Sequence, residues 1–493
     1  MSTNELLGSD NQNRVKELAK DSYSAVGIFK NLVAEDPSLR RDAALAVLDH
    51  HLETPSLNGA ALVAALAEAL ESPGAARNAV DDLAWATSAE AALAALYAID
   101  AGPGGISDAL LRSVIPYTEA SQPWTTAAAA ATAERLLDKY RPGAEKQEFV
   151  IGGVLQSYLR PVFSKSTSAV TAQGRPVLFR EPQPDAGFHA QKAAWKEAGP
   201  HIVTIFDWAV DASESQPATI KKHWPLYVPV LVTLAEDDDV VVRQRGLEIL
   251  GRFLVACPAN VLRTSGIDAV FAASVLPSLL FLPSLTPEAE SVVLLRAAYG
   301  ALRALALAAD ADPAARRRRA LLDRTLREGV LAGYFHASQH MRVVEVLMRS
   351  AAQIVEALQI YAVKHLQNLL DLFTPVLTDA FALAYPPAVV ATAEALNTTI
   401  LNCWPRIVGT PHAEHIISVV SRCWINVQGT SDDLGSPERE ALTAELKKTM
   451  TLVASLWRGP DEAMPIEKLA QMVQMEPSLK SLLVPFQLEK SMA

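Results

Sequence analysis

Residues 222–256 read KHWPLYVPVLVTLAEDDDVVVRQRGLEILGRFLVA, and this stretch decides the fold class. Trp224-Pro225 opens an apolar run of Leu226, Tyr227, Val228, Val230, Leu231 and Leu234 that stops at Asp237-Asp238-Asp239. A second amphipathic stretch starts at Val241-Val242-Arg243 and carries Leu247, Ile249, Leu250, Phe253 and Leu254. The spacing predicts two helices joined by an acidic turn. Proline directly after Trp224, and likewise after Trp404, most simply sets the start of a helix, because a first helical position does not need its N–H. Acidic turn residues cap the free N–H groups of the second helix and favour the positive end of its dipole. Each apolar stripe needs a neighbouring hairpin to cover it, so one copy predicts a stack.

A helix, an Asp-rich turn and a second helix with Val-Arg in its first turn form the signature of a HEAT-type hairpin. The same logic recurs at Asp36-Pro37-Ser38-Leu39-Arg40-Arg41, followed by Ala44-Leu45, Val47-Leu48 and Leu52. Helices are expected at 57–70, 79–99, 106–116, 125–140, 291–309, 320–333, 341–358, 361–384, 387–402, 411–428, 436–458 and 465–485, mostly with Pro or Gly at their joins. Spacings near 40 residues imply roughly ten hairpins. The expected fold is all-α, a HEAT-like α-solenoid with one long extended insertion. That insertion runs from Pro161 to Pro200, where Thr171, Gly174, Pro176, Pro182, Pro184 and Gly187 interrupt helical periodicity. Its Val177, Leu178, Phe179, Phe188 and Trp195 suit a segment that packs across the array. It divides an Ala-rich N-terminal array, 1–160, from a C-terminal HEAT-like array, 201–493.

Composition narrows the function classes. Half of the 493 residues are hydrophobic and a fifth are charged, which suits a large core and argues against global disorder. A formal net charge of -11 argues against a nucleic-acid binder. The basic run Arg316 to Arg319 reads as a solvated helix start or turn, with an anionic-partner patch as the minority reading. Cys257, Cys403 and Cys423 show no paired spacing, which suits a reducing compartment. The polar start from Met1 to Asp10 lacks a secretory h-region. The apolar windows Val275 to Leu285 and Ala60 to Leu70 are too short to span a bilayer. A cytoplasmic protein, with the nucleus as a second compartment, is expected, without membrane or nucleic-acid partners.

Candidate chemistry is sparse. His336 and His340 stand four apart in an expected helix, but Ala337 occupies the place where a zinc hydrolase needs Glu, so a polar helix face is the preferred reading. His412-Ala-Glu414-His415 reads as a helix start, and Cys403 and Cys423 as buried small hydrophobes. The chain shows no phosphate loop, nucleophile elbow or kinase signature. No catalytic, cofactor or metal residues are assigned, and a non-enzyme is expected.

Wording beyond the generic repeat resembles one family. Val170-Thr171-x-x-Gly174-Arg175, Trp195-Lys196, Phe206-x-Trp208 and Trp224-Pro225 are similar to the second Tel-interacting protein family, the Tti-two subunits of the TTT co-chaperone. The resemblance continues through Asp237-Asp238 and Arg243-x-Arg245-Gly246-Leu247. Phe281-Leu282-Pro283-x-Leu285-Thr286-Pro287-Glu288-x-Glu290-Ser291 is its most specific block, and Cys403-Trp404-Pro405-Arg406-Ile407 and Cys423-Trp424 extend it. It covers about residues 155–430. It implies a scaffold subunit that joins two larger α-solenoid subunits. The assembly so formed binds newly made phosphatidylinositol-kinase-related kinases and presents them to the Hsp-ninety chaperone through the R-two-TP adaptor.

Trp208, Trp224, Trp404, Trp424 and Trp457 read chiefly as packing between hairpins. Three residues are singled out for partner binding: Trp404 with Arg406 as an exposed anchor, and Arg175, read either as a solvated arginine in a turn or as a cation that pairs with an acidic partner group. Arg243 and Arg245 are expected to bond to the Asp residues of adjacent turns. Two rival functions remain open at this point. One is a HEAT-repeat adaptor in transport or trafficking. The other is an enzyme with the insertion as a lid over His189, His201 and Asp207.

Overall fold

The computed structural model describes residues 6–18, 25–53, 59–70, 79–99, 106–163, 195–429, 436–456 and 466–486. Every regular element among them is helical. They fall into two compact units: Met1–Leu234 with Ala256–Val261, and Ala235–Val255 with Leu262–Ala493. Residues 164–194, most of the expected insertion, lie outside the described residues, as do Arg175, His189 and Trp457.

The first unit begins with α1 (Ser9–Leu18), α2 (Ala25–Leu32), α3 (Pro37–Glu53), α4 (Gly59–Ala69), α5 (Ala79–Ala98), α6 (Asp108–Val114) and α7 (Ala127–Tyr140). Helices α1, α3, α5 and α7 pack side by side in one layer, α2 packs on α4 in a second, and α2–α3 and α4–α5 close hairpins between the layers. That alternation is the α-solenoid arrangement, in which each apolar stripe is covered by the next repeat. The buried faces are largely alanine, including Ala43, Ala44, Ala89, Ala91, Ala92, Ala94 and Ala95. Short α8 (Ala144–Glu148) runs into a π-helical stretch, Phe149–Leu159, and then into α9 (Arg160–Phe163). Phe163 stacks on Trp195 with ring centroids 5.6 Å apart, which brings together the two ends of the undescribed stretch. Two more helices follow, α10 (His201–Asp211) and α11 (Pro217–Ala235).

The second unit contains α12 (Val240–Ala256), α13 (Ala259–Ser265), α14 (Ile267–Val275), α15 (Glu288–Ala309), α16 (Arg316–Arg324), α17 (Ala332–Ala337), α18 (Met341–Leu358), α19 (Leu366–Thr378), α20 (Pro386–Ile407), α21 (Pro411–Gly429), α22 (Ser436–Ser455) and α23 (Ile466–Met475). Helices α15, α18, α20 and α22 form one layer, α19 and α21 belong to the other, and α19–α20 and α21–α22 pair as hairpins. Helix α15 is long and apolar enough to cross a membrane, a length that neither window singled out above reaches. Its Leu294, Leu295, Ala298, Leu302 and Leu305 are buried in the unit, so its apolarity serves the core.

The acidic turns act as expected, with one change of partner. Asp239 caps α12 by accepting the N–H groups of Val241 and Val242 at 2.8 and 3.2 Å. Arg243 donates to backbone carbonyls instead of Asp carboxylates: its Nε to Asp237 O at 2.6 Å and its Nη2 to Glu236 O at 3.1 Å. Arg40 repeats the device with Glu35 O at 3.1 Å, and Arg318 with Ala311 O at 2.8 Å. A guanidinium reaches back over the turn and satisfies carbonyls that the preceding helix leaves free.

Two readings need correction. Pro225 and Pro405 do not open helices, since Pro225 and Pro229 lie inside α11 and Pro405 in the last turn of α20. Apolar flanks continue across each proline, and packing of those flanks outweighs the lost hydrogen bond. Nor is the basic run wholly solvated. Arg316 starts a helix, but Arg318 is buried and also donates to Ala357 O at 2.8 Å.

Candidate partner-binding edges

The catalytic rival can be followed only in part, because His189 is outside the described residues. His201 is buried in α10, and burial alone pushes its pKa down to about 4, so it is a neutral core side chain near pH 7. The His336–His340 helix is absent. His336 ends α17, whereas His340 caps α18 and places Nδ1 3.7 Å from Glu288 Oε2. No group of three His, Cys, Asp or Glu able to hold a metal occurs among the described residues. Cys257, Cys403 and Cys423 are buried free thiols whose pKa values burial pushes up to about 12, which leaves no thiolate near pH 7. His412 lies in the first turn of α21, as expected of a helix start. A cleft of about 470 Å³ in the first unit is lined by Gln147, Glu148, Ile151, Gly152, Ala218, Thr219, Lys222 and His223.

Surfaces are more informative. Helices α15, α18 and α20 lie side by side, with their starts linked on one edge and their ends on another. On the first edge lie the segments around 276–287, 338–340 and 379–385. Arg243 sits 4.5 Å over the Phe281 ring, and Tyr385 OH donates to Glu345 Oε2 at 2.8 Å. Ser284 holds a φ of 92°, a left-handed conformation that costs a non-glycine residue free energy. Just beyond it Leu285 stands 92% exposed, and Phe381 and Phe335 follow at 88% and 81%. The Asp379 carboxylate accepts the Phe381 N–H at 2.9 Å and fixes that turn. The 281–291 block, the most specific wording in the sequence, is therefore this connection and the start of α15. Sequence reading missed Phe335 and Phe381: Phe381 fell inside an expected helix, and nothing local marks a residue that the next repeat fails to cover.

The second edge gathers 310–319, 357–365 and 401–411. Here Trp404, an expected anchor, is 52% exposed, and Leu401, one turn earlier in α20, is exposed beside it. Arg406 donates Nη1–H to Val363 O at 3.2 Å, which joins the end of α20 to the Gln359–His365 turn. Arg319 lies 4.4 Å over the Tyr361 ring of that turn. His365 Nε2 is 2.9 Å from Asp323 Oδ1, and Lys364 pairs with the other oxygen of Asp323. The structure thus brings Trp404 and Arg406 together on one edge. The other tryptophans differ: Trp208 and Trp424 are core residues, and Trp224 is half-buried.

Comparison with known proteins is consistent with the sequence reading. The model of the Tti2 family matches residues 110–384. The match includes the 281–291 block and Phe335, and it ends before Trp404. Among solved structures, Kap121p bound to Pho4p is similar at a TM-score of 0.41 and 10% identity, with 96% of this chain and 52% of that chain covered. The karyopherin Kap121p bound to the extreme C-terminus of the protein phosphatase Cdc14p gives 0.41 and 12%, covering 97% and 47%. The chain spans about half the length of these proteins.

Proposed function

The chain belongs to the Tti2 family, and from that premise we propose that it is a non-catalytic scaffold subunit of the TTT co-chaperone. In this reading it joins two larger α-solenoid subunits. The assembly holds newly made phosphatidylinositol-kinase-related kinases for Hsp-ninety-dependent folding, reached through the R-two-TP adaptor. The subunit works in the cytoplasm, with the nucleus as a second compartment. The observation that carries the reading is the family match over 110–384.

The physical character of the chain supports association over chemistry. Its thiols are buried, His201 is a neutral core residue, and the second unit holds Leu285, Phe335 and Phe381 in the open. Exposed apolar side chains at repeat intervals on fixed turns suit burial against another solenoid, in an obligate-type interface above roughly 2,000 Å². The test is purification of the tagged chain from its native cell at moderate salt, with mass spectrometry of co-eluting proteins. Two larger helical-repeat subunits, with traces of giant kinases, are the expected result. Recovery of the chain alone, or with transport cargo, would overturn it.

A further inference from the structure

The second edge of unit 2 carries charge against the grain of the chain. The protein has a formal net charge of -11, yet this edge collects Arg263, Arg316, Arg317, Arg319, Lys364 and Arg406. Arg317 lies 3.6 Å from Asp268, and Lys364 pairs with Asp323. In the nearby acidic turn Asp310 Oδ1 accepts Asp312 N–H at 3.1 Å and Asp312 Oδ1 accepts Ala314 N–H at 2.8 Å, which holds both carboxylates to the turn, where they offset part of the positive charge. Among the described residues Arg263, Arg316, Arg319 and Arg406 have no carboxylate within ion-pair distance.

These cations form one strip. Arg317 donates to Arg263 O at 3.2 Å, Arg319 lies on Tyr361, and Arg406 donates to Val363 O. Three successive connections are thereby laced edge to edge. Set among the cations are Ile360, Leu401 and Trp404, all exposed. A strip in which Arg263, Arg316, Arg319 and Arg406 lack an ion-pair partner, set around a standing tryptophan, differs from the first edge, whose exposed side chains are apolar and whose charges are mixed.

We propose that this strip docks an acidic segment of a partner that also presents apolar side chains, an acidic amphipathic helix face on one of the larger solenoid subunits. The inference rests on the co-chaperone reading and adds a surface and a partner chemistry to it. Charge complementarity selects the acidic occupant, because unpaired guanidinium groups on an otherwise acidic chain attract anions and repel nothing on such a partner. Trp404 supplies the anchor, since Trp and Arg dominate interface hot spots. A nucleic acid fits worse. Tight phosphate binding uses about 6–10 cation contacts, more than the unpaired cations here, and it has no use for Leu401 and Ile360.

The test uses the full chain and the two purified larger subunits, with Kd measured at low and at moderate salt. Trp404→Ala is expected to weaken binding at least about tenfold, by the hot-spot criterion. Arg316→Glu with Arg406→Glu should weaken it about tenfold at low salt and flatten the wild-type salt dependence. Arg406→Lys should bind within a few-fold of wild type. Lys221→Glu with Lys222→Glu, an equal charge change in the first unit, should leave affinity unaltered. Circular dichroism and thermal melts of each variant separate lost docking from lost folding. Arg316 is an exposed side chain, so Arg316→Glu alone keeps the test informative if Arg406→Glu unfolds. Wild-type affinity and salt dependence in both the Trp404 and the Arg316 variants would sink the inference while leaving the scaffold reading intact. If the wild-type chain itself fails to bind the two subunits, both fall. If a short DNA duplex displaces the partner at equal concentration, the occupant is a nucleic acid and the proposal is wrong.

Discussion

The two units build the same two-layered stack from different materials. In the first, α5 buries Ala86, Ala89, Ala91, Ala92, Ala94 and Ala95, so each helix contributes little apolar area per residue. Such smooth faces could slide past one another. What pins them is polar: Glu90, 2% exposed, accepts Gly8 N–H at 2.7 Å, Asn11 Nδ2–H at 2.8 Å and the Thr126 hydroxyl. One carboxylate therefore ties the N-terminal segment and α7 to α5. In the second unit α18 buries Val343, Val344, Leu347, Met348, Ile354, Val355 and Leu358, and bulky knobs set the register themselves. Of its buried polar groups, Arg243 and Arg318 sit at turns and satisfy carbonyls, and Asn397, inside α20, donates to Glu445 Oε2 of α22 at 2.8 Å. Small side chains leave alignment largely to polar ties, whereas large ones share that task with them.

Removing the tie in the first unit should have the largest effect. Glu90→Ala strips three donors, among them the buried Asn11 amide, of their acceptor and should cost roughly 3–5 kcal/mol. In hydrogen-exchange mass spectrometry α3, α5 and α7 should lose protection while α18, α20 and α22 keep theirs. Equal loss in both units would break the contrast. Arg318→Leu comes next, at roughly 2–3 kcal/mol, because the carbonyls of Ala311 and Ala357 lose a charged donor. Exchange should then rise at the α15–α16 turn and the end of α18, with α5 unchanged.

The smallest effect belongs to His201 in the first unit. Its folded pKa of about 4 lies below the ordinary 6.5. In that window the unfolded chain binds a proton that the folded chain refuses, so stability falls as pH drops from 6.5 and the contribution is gone below 4. Between pH 7 and pH 5 the loss should be roughly 2 kcal/mol. His201→Phe should flatten that slope in urea titrations. An unchanged slope would show that other groups govern the acid response.

Much of the architecture was legible in the chain. The 341–358 periodicity matches α18 end to end, the Asp239 cap follows from the acidic turn, and the His412 helix start lies where expected. Misreadings cluster where a local rule met a packed neighbour. Pro225 and Pro405 looked like helix starts because an isolated helix tolerates proline best there, yet each is carried inside a helix by apolar flanks. Arg316 to Arg319 looked uniformly solvated, although Arg318 turns inward to carbonyls 7 and 39 residues away. Among the residues expected to bind a partner, Trp404 and Arg406 could be named from their pairing in sequence, but their cationic surroundings come from residues 40 to 143 positions earlier.

By itself the sequence determined where helices form, where they are capped and that they must stack, because periodicity and capping act over a few residues. Only the tertiary structure decided which side chains stay uncovered: Leu285, Phe335 and Phe381 on one edge, Trp404 among unpaired arginines on the other. Exposure at a connection depends on what the next repeat lays over it. That neighbour lies about 40 residues away, beyond the reach of any local pattern.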